Sequence, residues 1–127
     1  MVGRILLIED DADIRESMAD VLRLDGHDVQ CAADGASALQ LVLGGARPSV
    51  ILLDMMMPGM SGAEFLEQCH SNALLAGIPV VVVTAYSQVP PIARTADAML
   101  NKPVHVDELL TLTRQLVARQ VPPAPVV

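Results

Sequence analysis

Asp54 follows Val50-Ile51-Leu52-Leu53 and precedes Pro58-Gly59. Four apolar residues running into a carboxylate, with a proline-glycine turn soon after, put that carboxylate at the mouth of a buried strand. Arg4 to Ile8 is a similar run that breaks off in Glu9-Asp10-Asp11. Ile78 to Thr84 ends in a hydroxyl, and Ala98 to Leu100 leads into Asn101-Lys102-Pro103. Parallel strands present their carboxyl ends along one edge, so Glu9, Asp10, Asp54, Thr84 and Lys102 would meet there. Taken alone, Asp54 also reads as a turn aspartate capping the next helix. Ser61, followed by Glu64, is a better capping box for that helix.

The chemistry of such a cluster points to a cation. Carboxylates a few Å apart repel by roughly 1 to 4 kcal/mol per pair at dielectrics between water and a protein surface. One of them protonates unless it is compensated, and Lys102 can neutralise one charge. The donors are hard oxygens without a nearby His or Cys, which suits Mg²⁺ or Mn²⁺ rather than zinc. Mg²⁺ held by one or two carboxylates keeps positions for water and phosphate. Asp54 is then a candidate nucleophile that becomes an acyl phosphate. Lys102 and the metal would take the charge on the transferring oxygens, and Thr84 would hydrogen-bond one of them.

The chain that must position these groups has 127 residues, 52% of them hydrophobic and 2% aromatic, so its core is built from Val, Leu, Ile, Ala and Met. Ile14, Met18, Val21 and Leu22 mark one face of a helix closing at Asp25-Gly26. Asp28 to Ala32 is a weaker strand. Asp34 caps a helix carrying Leu39, Val42 and Leu43, stopped by Gly44-Gly45. A third helix, from about Gly62 to His70, buries Phe65, Leu66 and Cys69. The fourth helical segment contains Pro90-Pro91 and can hardly begin before Pro91. The last helix places Val106, Leu109, Leu110, Thr113, Leu116 and Val117 on one side. Five strands alternating with five helical segments predict an α/β fold, a parallel sheet covered on both faces. One domain over 1–120 is expected, with the proline-rich 121–127 an extended tail or the start of a linker.

A net charge of -7, with eight scattered basic residues, offers no footprint for DNA or RNA. No apolar run is long enough to span a bilayer. Cys31 and Cys69 have no partner at metal spacing and read as reduced core residues. With a strand beginning by Arg4, there is no room for a signal peptide, and a cytoplasmic protein is expected.

Ile5-Leu6-Leu7-Ile8-Glu9-Asp10-Asp11, Leu53-Asp54 through Pro58-Gly59-Met60-Ser61-Gly62, Val83-Thr84-Ala85 and Asn101-Lys102-Pro103 together resemble a response-regulator receiver domain, over about residues 4 to 119. The resemblance implies the strand order 2-1-3-4-5 and phosphorylation of Asp54 by a phosphohistidine on a sensor histidine kinase or phosphotransfer protein. It also implies that Asp10, Asp54 and the main-chain carbonyl of Met56 bind Mg²⁺, that Glu9 assists, and that the Lys102-Pro103 bond is cis. Asp11 reads as a favourable charge at the first helix's N-terminus.

The chain departs from the family in two places. Met99 stands where an aromatic residue usually moves with the switch threonine, Thr84. Thr84 and Lys102 are 18 positions apart, roughly one helical turn short of the family usual, which predicts a shortened or irregular fourth helix. Met56 and Tyr86, two positions after Asp54 and Thr84, flank the path of an attacking water in the family and supply no base, so slow autodephosphorylation is expected.

Rival readings are a pseudo-receiver that binds partners without accepting phosphate, a haloacid-dehalogenase-type Mg²⁺-dependent aspartyl phosphatase, and a flavodoxin-like carrier. The phosphatase family needs an aspartate where this chain has Met56. The flavodoxin family needs a Ser/Thr-rich phosphate loop that is missing after the first strand. A pseudo-receiver would be expected to have lost one of the five residues. His27, His70 and His105 read as surface or capping residues, Glu64 and Glu67 as a solvated face, and Met57 and Met60 as packing beneath the turn.

Overall fold

The computed structural model describes residues 3–55, 60–85 and 91–119. Five strands, β1 (Arg4–Ile8), β2 (Asp28–Ala32), β3 (Val50–Asp54), β4 (Val80–Thr84) and β5 (Ala98–Asn101), form one parallel sheet in the order β2-β1-β3-β4-β5. β3 and β4 are buried at every residue. Both are continuous apolar runs up to their last residues, Asp54 and Thr84, as strands covered on two faces must be.

Alternate side chains of these strands feed two cores. On one face Ile5, Leu7, Val50, Leu52, Val81 and Val83 pack with α1 (Ala12–Leu24) and α4 (Val106–Arg119) through Met18, Leu22, Leu109 and Leu116. On the other, Leu6, Ile8, Ile51, Leu53 and Val82 pack with α2 (Gly35–Leu43) and α3 (Gly62–Ser71) through Val42, Phe65 and Leu66. Each of the first three helices starts where a short polar side chain takes up orphan amides. Asp11 accepts from the amides of Asp13 and Ile14 at 3.0 and 3.1 Å, so its role at the start of α1 is a cap. Asp34 accepts from Ser37 at 2.7 Å, and Ser61 from Glu64 at 3.1 Å. α1 ends at Asp25, and Gly26 turns the chain toward β2 with φ +93°, a conformation that costs glycine little.

Among the described residues there are four α-helices rather than five helices, and the expected shortened or irregular fourth helix is a 3-10 helix, Pro91–Thr95. Two constraints shorten it. Pro91 has no N–H to donate. Six residues later Asp97 is clamped to the start of β4, its amide donating to the Val80 carbonyl at 2.8 Å and its carboxylate accepting from the Val80 amide at 2.8 Å. A tighter helix with more rise per residue fits that span. It rests on α3, with Ala93 in the core and His70 Nε2 2.7 Å from Thr95 Oγ1.

Leu43, Val106 and His27 depart from expectation. Leu43 is 58% exposed and Val106 49%, because each lies at the end of its helix, past the cover of the sheet. His27 is a buried residue, its Nε2 3.3 Å from Asp25 Oδ2. Cys69 is buried and Cys31 half-buried, both free thiols. Met60 packs against the core, filling the space a Cβ on Gly35 would enter. Met57 and the segment 121–127 lie outside the described residues.

Candidate functional site

The parallel register brings the ends of β1, β3, β4 and β5 to one edge of the sheet. Glu9 is the first residue beyond β1, still tied to β2 through its amide, which donates to the Ala32 carbonyl at 3.1 Å. Asp54 is the last residue of β3, opposite Val83. Thr84 closes β4 opposite Asn101, and its carbonyl accepts from the Lys102 amide at 2.8 Å. Strand pairing thus sets Lys102 beside the two neighbouring strand ends. The Lys102-Pro103 bond is cis, as the resemblance implies.

The side chains converge as well. Glu9, Asp10 and Asp54 each offer an oxygen, all within 4.8 Å of one another. Glu9 is 2% exposed and Asp54 4%, while Asp10 faces solvent. Lys102 Nζ donates to Glu9 Oε1 at 2.9 Å and lies 3.5 Å from Asp54 Oδ1. Thr84 is 1% exposed. The structure therefore brings Glu9, Asp10, Asp54, Thr84 and Lys102 to one edge; Met56 and Tyr86 lie outside the described residues.

One ammonium against three carboxylates leaves an excess of negative charge. Burial, then the hydrogen-bonded Asp54, pushes the Glu9 carboxyl up to about 7, against the opposing pull of Lys102. Desolvation and Asp54 raise Asp10 as well. Lys102 loses hydration, which favours its neutral form, but Glu9 and Asp54 outweigh that and raise it overall. A cluster in which one carboxyl holds its proton to near neutrality is a set of hard donors lacking positive charge, and a divalent cation bound by oxygen fits it.

Two residues support the site in ways the motifs do not state. Gly62 begins α3 against the end of β3, and a Cβ there would lie 2.6 Å from Met55 Cα and 2.8 Å from the Asp54 carbonyl oxygen. Arg15, on α1, donates from Nη1 to the Glu9 carbonyl at 2.8 Å and reaches the Asp10 carbonyl at 3.5 Å. The sequence signal for Arg15 is slight, an arginine one helical turn beyond the Asp11 cap.

Residues 5–114 match the family of response regulator receiver domains. The chain belongs to that family. Among its relatives, this receiver domain is 37% identical over 126 residues to the response regulator MprA of Mycobacterium sp. (strain KMS), covering 96% of the chain and 54% of MprA. It thus spans about half the length of the curated relatives it matches. A putative response regulator from Chloroflexus aurantiacus J-10-fl has the same fold, with TM-score 0.85 and 26% identity over 94% of this chain and all of that one. The chemotaxis response regulator CheY4 of Vibrio cholerae superposes with TM-score 0.82 and 27% identity, over 91% of this chain and 99% of that one. The receiver domain thus belongs to two-component signalling, in which response regulators take phosphoryl groups from sensor histidine kinases. Among the described residues no helix is long and apolar enough to cross a membrane.

Proposed function

We propose that Asp54 accepts a phosphoryl group from a phosphohistidine on a sensor histidine kinase or a histidine phosphotransfer protein. An Asp54 carboxylate oxygen attacks phosphorus as the nitrogen–phosphorus bond breaks. The electron pair stays on the imidazole, which takes up a proton from solvent, and Asp54 becomes an acyl phosphate. The observation that carries this reading is Lys102 Nζ between Glu9 Oε1 and Asp54 Oδ1, at 2.9 and 3.5 Å, in a cluster still short of positive charge.

Glu9, Asp10 and Asp54 would hold Mg²⁺, with Mn²⁺ as a substitute and the Met56 carbonyl as a further ligand by family resemblance. When bound, the metal supplies charge neutralisation on the transferring oxygens. Lys102 is within reach of an oxygen on Asp54 and holds the same phosphate once it is in place. The Thr84 hydroxyl, at the end of the adjacent strand, donates to the phosphate and draws the following loop inward. Since the Thr84 carbonyl also holds the Lys102 amide, that movement reaches β5. No external substrate is turned over, and the output passes to a protein partner rather than through direct contact with nucleic acid. A cytoplasmic setting accords with such a partner.

The test is intact mass after incubation with a small-molecule phosphodonor, with Mg²⁺ and with EDTA, on wild type and Asp54→Asn. The expected result is one added phosphate that requires Mg²⁺, is lost in hydroxylamine and is absent from the variant. Its decay should take hours, given Met56 and Tyr86; a half-life of seconds refutes that part. No addition to a folded protein that binds Mg²⁺ favours the pseudo-receiver instead. Steady release of inorganic phosphate from a phosphomonoester would favour the phosphatase.

A further inference from the structure

The acidic turn between β1 and α1 has to hold two of the three carboxylates still, yet it lies past the last paired residue of β1. Ile8 is opposite Ala32 and Leu53, and strand pairing stops there. The Glu9 amide retains a sheet partner. The Glu9 carbonyl instead accepts from Arg15 Nη1 at 2.8 Å, and the same nitrogen lies 3.5 Å from the Asp10 carbonyl. Arg15 is itself fixed, since its amide donates to the Asp11 carbonyl at 2.9 Å in the first turn of α1. Backbone and guanidinium of one half-buried residue therefore close a ring over Glu9, Asp10 and Asp11. A charged donor to a carbonyl is about twice as strong as a neutral one, and it gives the turn a single arrangement.

We propose that Arg15 is a positioning residue that sets the Glu9 and Asp10 carboxylates for the divalent cation by holding their main-chain carbonyls. The proposal rests on the acidic cluster being a cation site, as read above. It has a consequence of definite sign. By Coulomb's law a guanidinium near the site repels a bound cation, so removing the charge alone tightens metal binding. Removing the hold on the turn loosens it, because groups that orient ligands are typically worth 10- to 100-fold in metal affinity.

The experiment is a Mn²⁺ titration followed by electron paramagnetic resonance on wild type, Arg15→Met and Arg15→Lys, with thermal unfolding of each in EDTA as the check on folding. Arg15→Met is expected to bind Mn²⁺ about tenfold more weakly while remaining fully folded at the temperature of the titration. Arg15→Lys, which keeps the charge and one donor, is expected to recover part of the loss. Unchanged or tighter binding by Arg15→Met overturns the role of Arg15 and leaves the cation site standing. A lysine that restores nothing assigns the loss to disturbed packing and also overturns it. Failure of the wild type to bind Mn²⁺ removes the cation site, and the role of Arg15 with it.

Discussion

Glu9 is the residue whose environment says most about the site. In the unfolded chain it titrates near the ordinary 4.5, and in the fold, without metal, burial carries it to about 7. Between those values the native protein holds a proton that the unfolded chain has lost. Metal-free stability attributable to Glu9 therefore falls as pH rises from about 4.5 to 7. Denaturant unfolding in EDTA across that range should show the fall in wild type and a flatter profile in Glu9→Gln; parallel profiles would contradict it. The identities of Glu9, Asp10, Asp54, Thr84 and Lys102 could be read from the chain because each follows an apolar run. Arg15 could not, because its partners are main-chain carbonyls, and nothing in a residue pattern marks which carbonyl lacks a donor.

Elements were legible where a local cause decides them. The Asp11, Asp34 and Ser61 caps each act within three residues, and β3 and β4 are apolar up to Asp54 and Thr84. The 3-10 helix was legible only as a shortening, since its form depends on the Asp97 clamp to Val80 and on His70 of α3. With the poorer bond geometry of a 3-10 turn, its amides should exchange hydrogen faster than those of α1, α3 and α4. Equal protection in all four would overturn this. Gly62 shows how closely one element can constrain the site. In Gly62→Ala the new methyl meets the Met55 backbone and the Asp54 carbonyl, neither of which can swing aside as a side chain would. The expected loss is about 1–3 kcal/mol in denaturant unfolding, typical of overpacking, together with weaker Mg²⁺ binding. Wild-type values for both would show that the turn yields.

For the molecule as a whole, the carboxylate cluster is like charge that the fold holds together and that a bound divalent cation would offset. Mg²⁺ at ten times its dissociation constant should stabilise the protein by about 1.4 kcal/mol through linkage alone. Thermal unfolding with and without Mg²⁺ should show a rise in wild type that is absent from Asp10→Asn, and an equal rise in both would place the ion elsewhere. A second long-range tie links the two helices of one face, where Arg114 of α4 donates from Nε and Nη2 to the Asp25 carboxylate at the end of α1, beside buried His27. Spacing of charges along the chain gave no hint of that pair, and Leu43 and Val106 similarly look apolar enough to be core until the extent of the sheet is known. The chemistry is written in the chain itself: carboxylates, hydroxyl and ammonium at the ends of apolar runs, with helices between that force the runs parallel. Tertiary structure decided the distances. Lys102 Nζ and Glu9 Oε1, 93 residues apart in sequence, stand 2.9 Å apart because β1, β3, β4 and β5 pair in one register, and pairing between strands far apart in the chain is set by how the whole core packs.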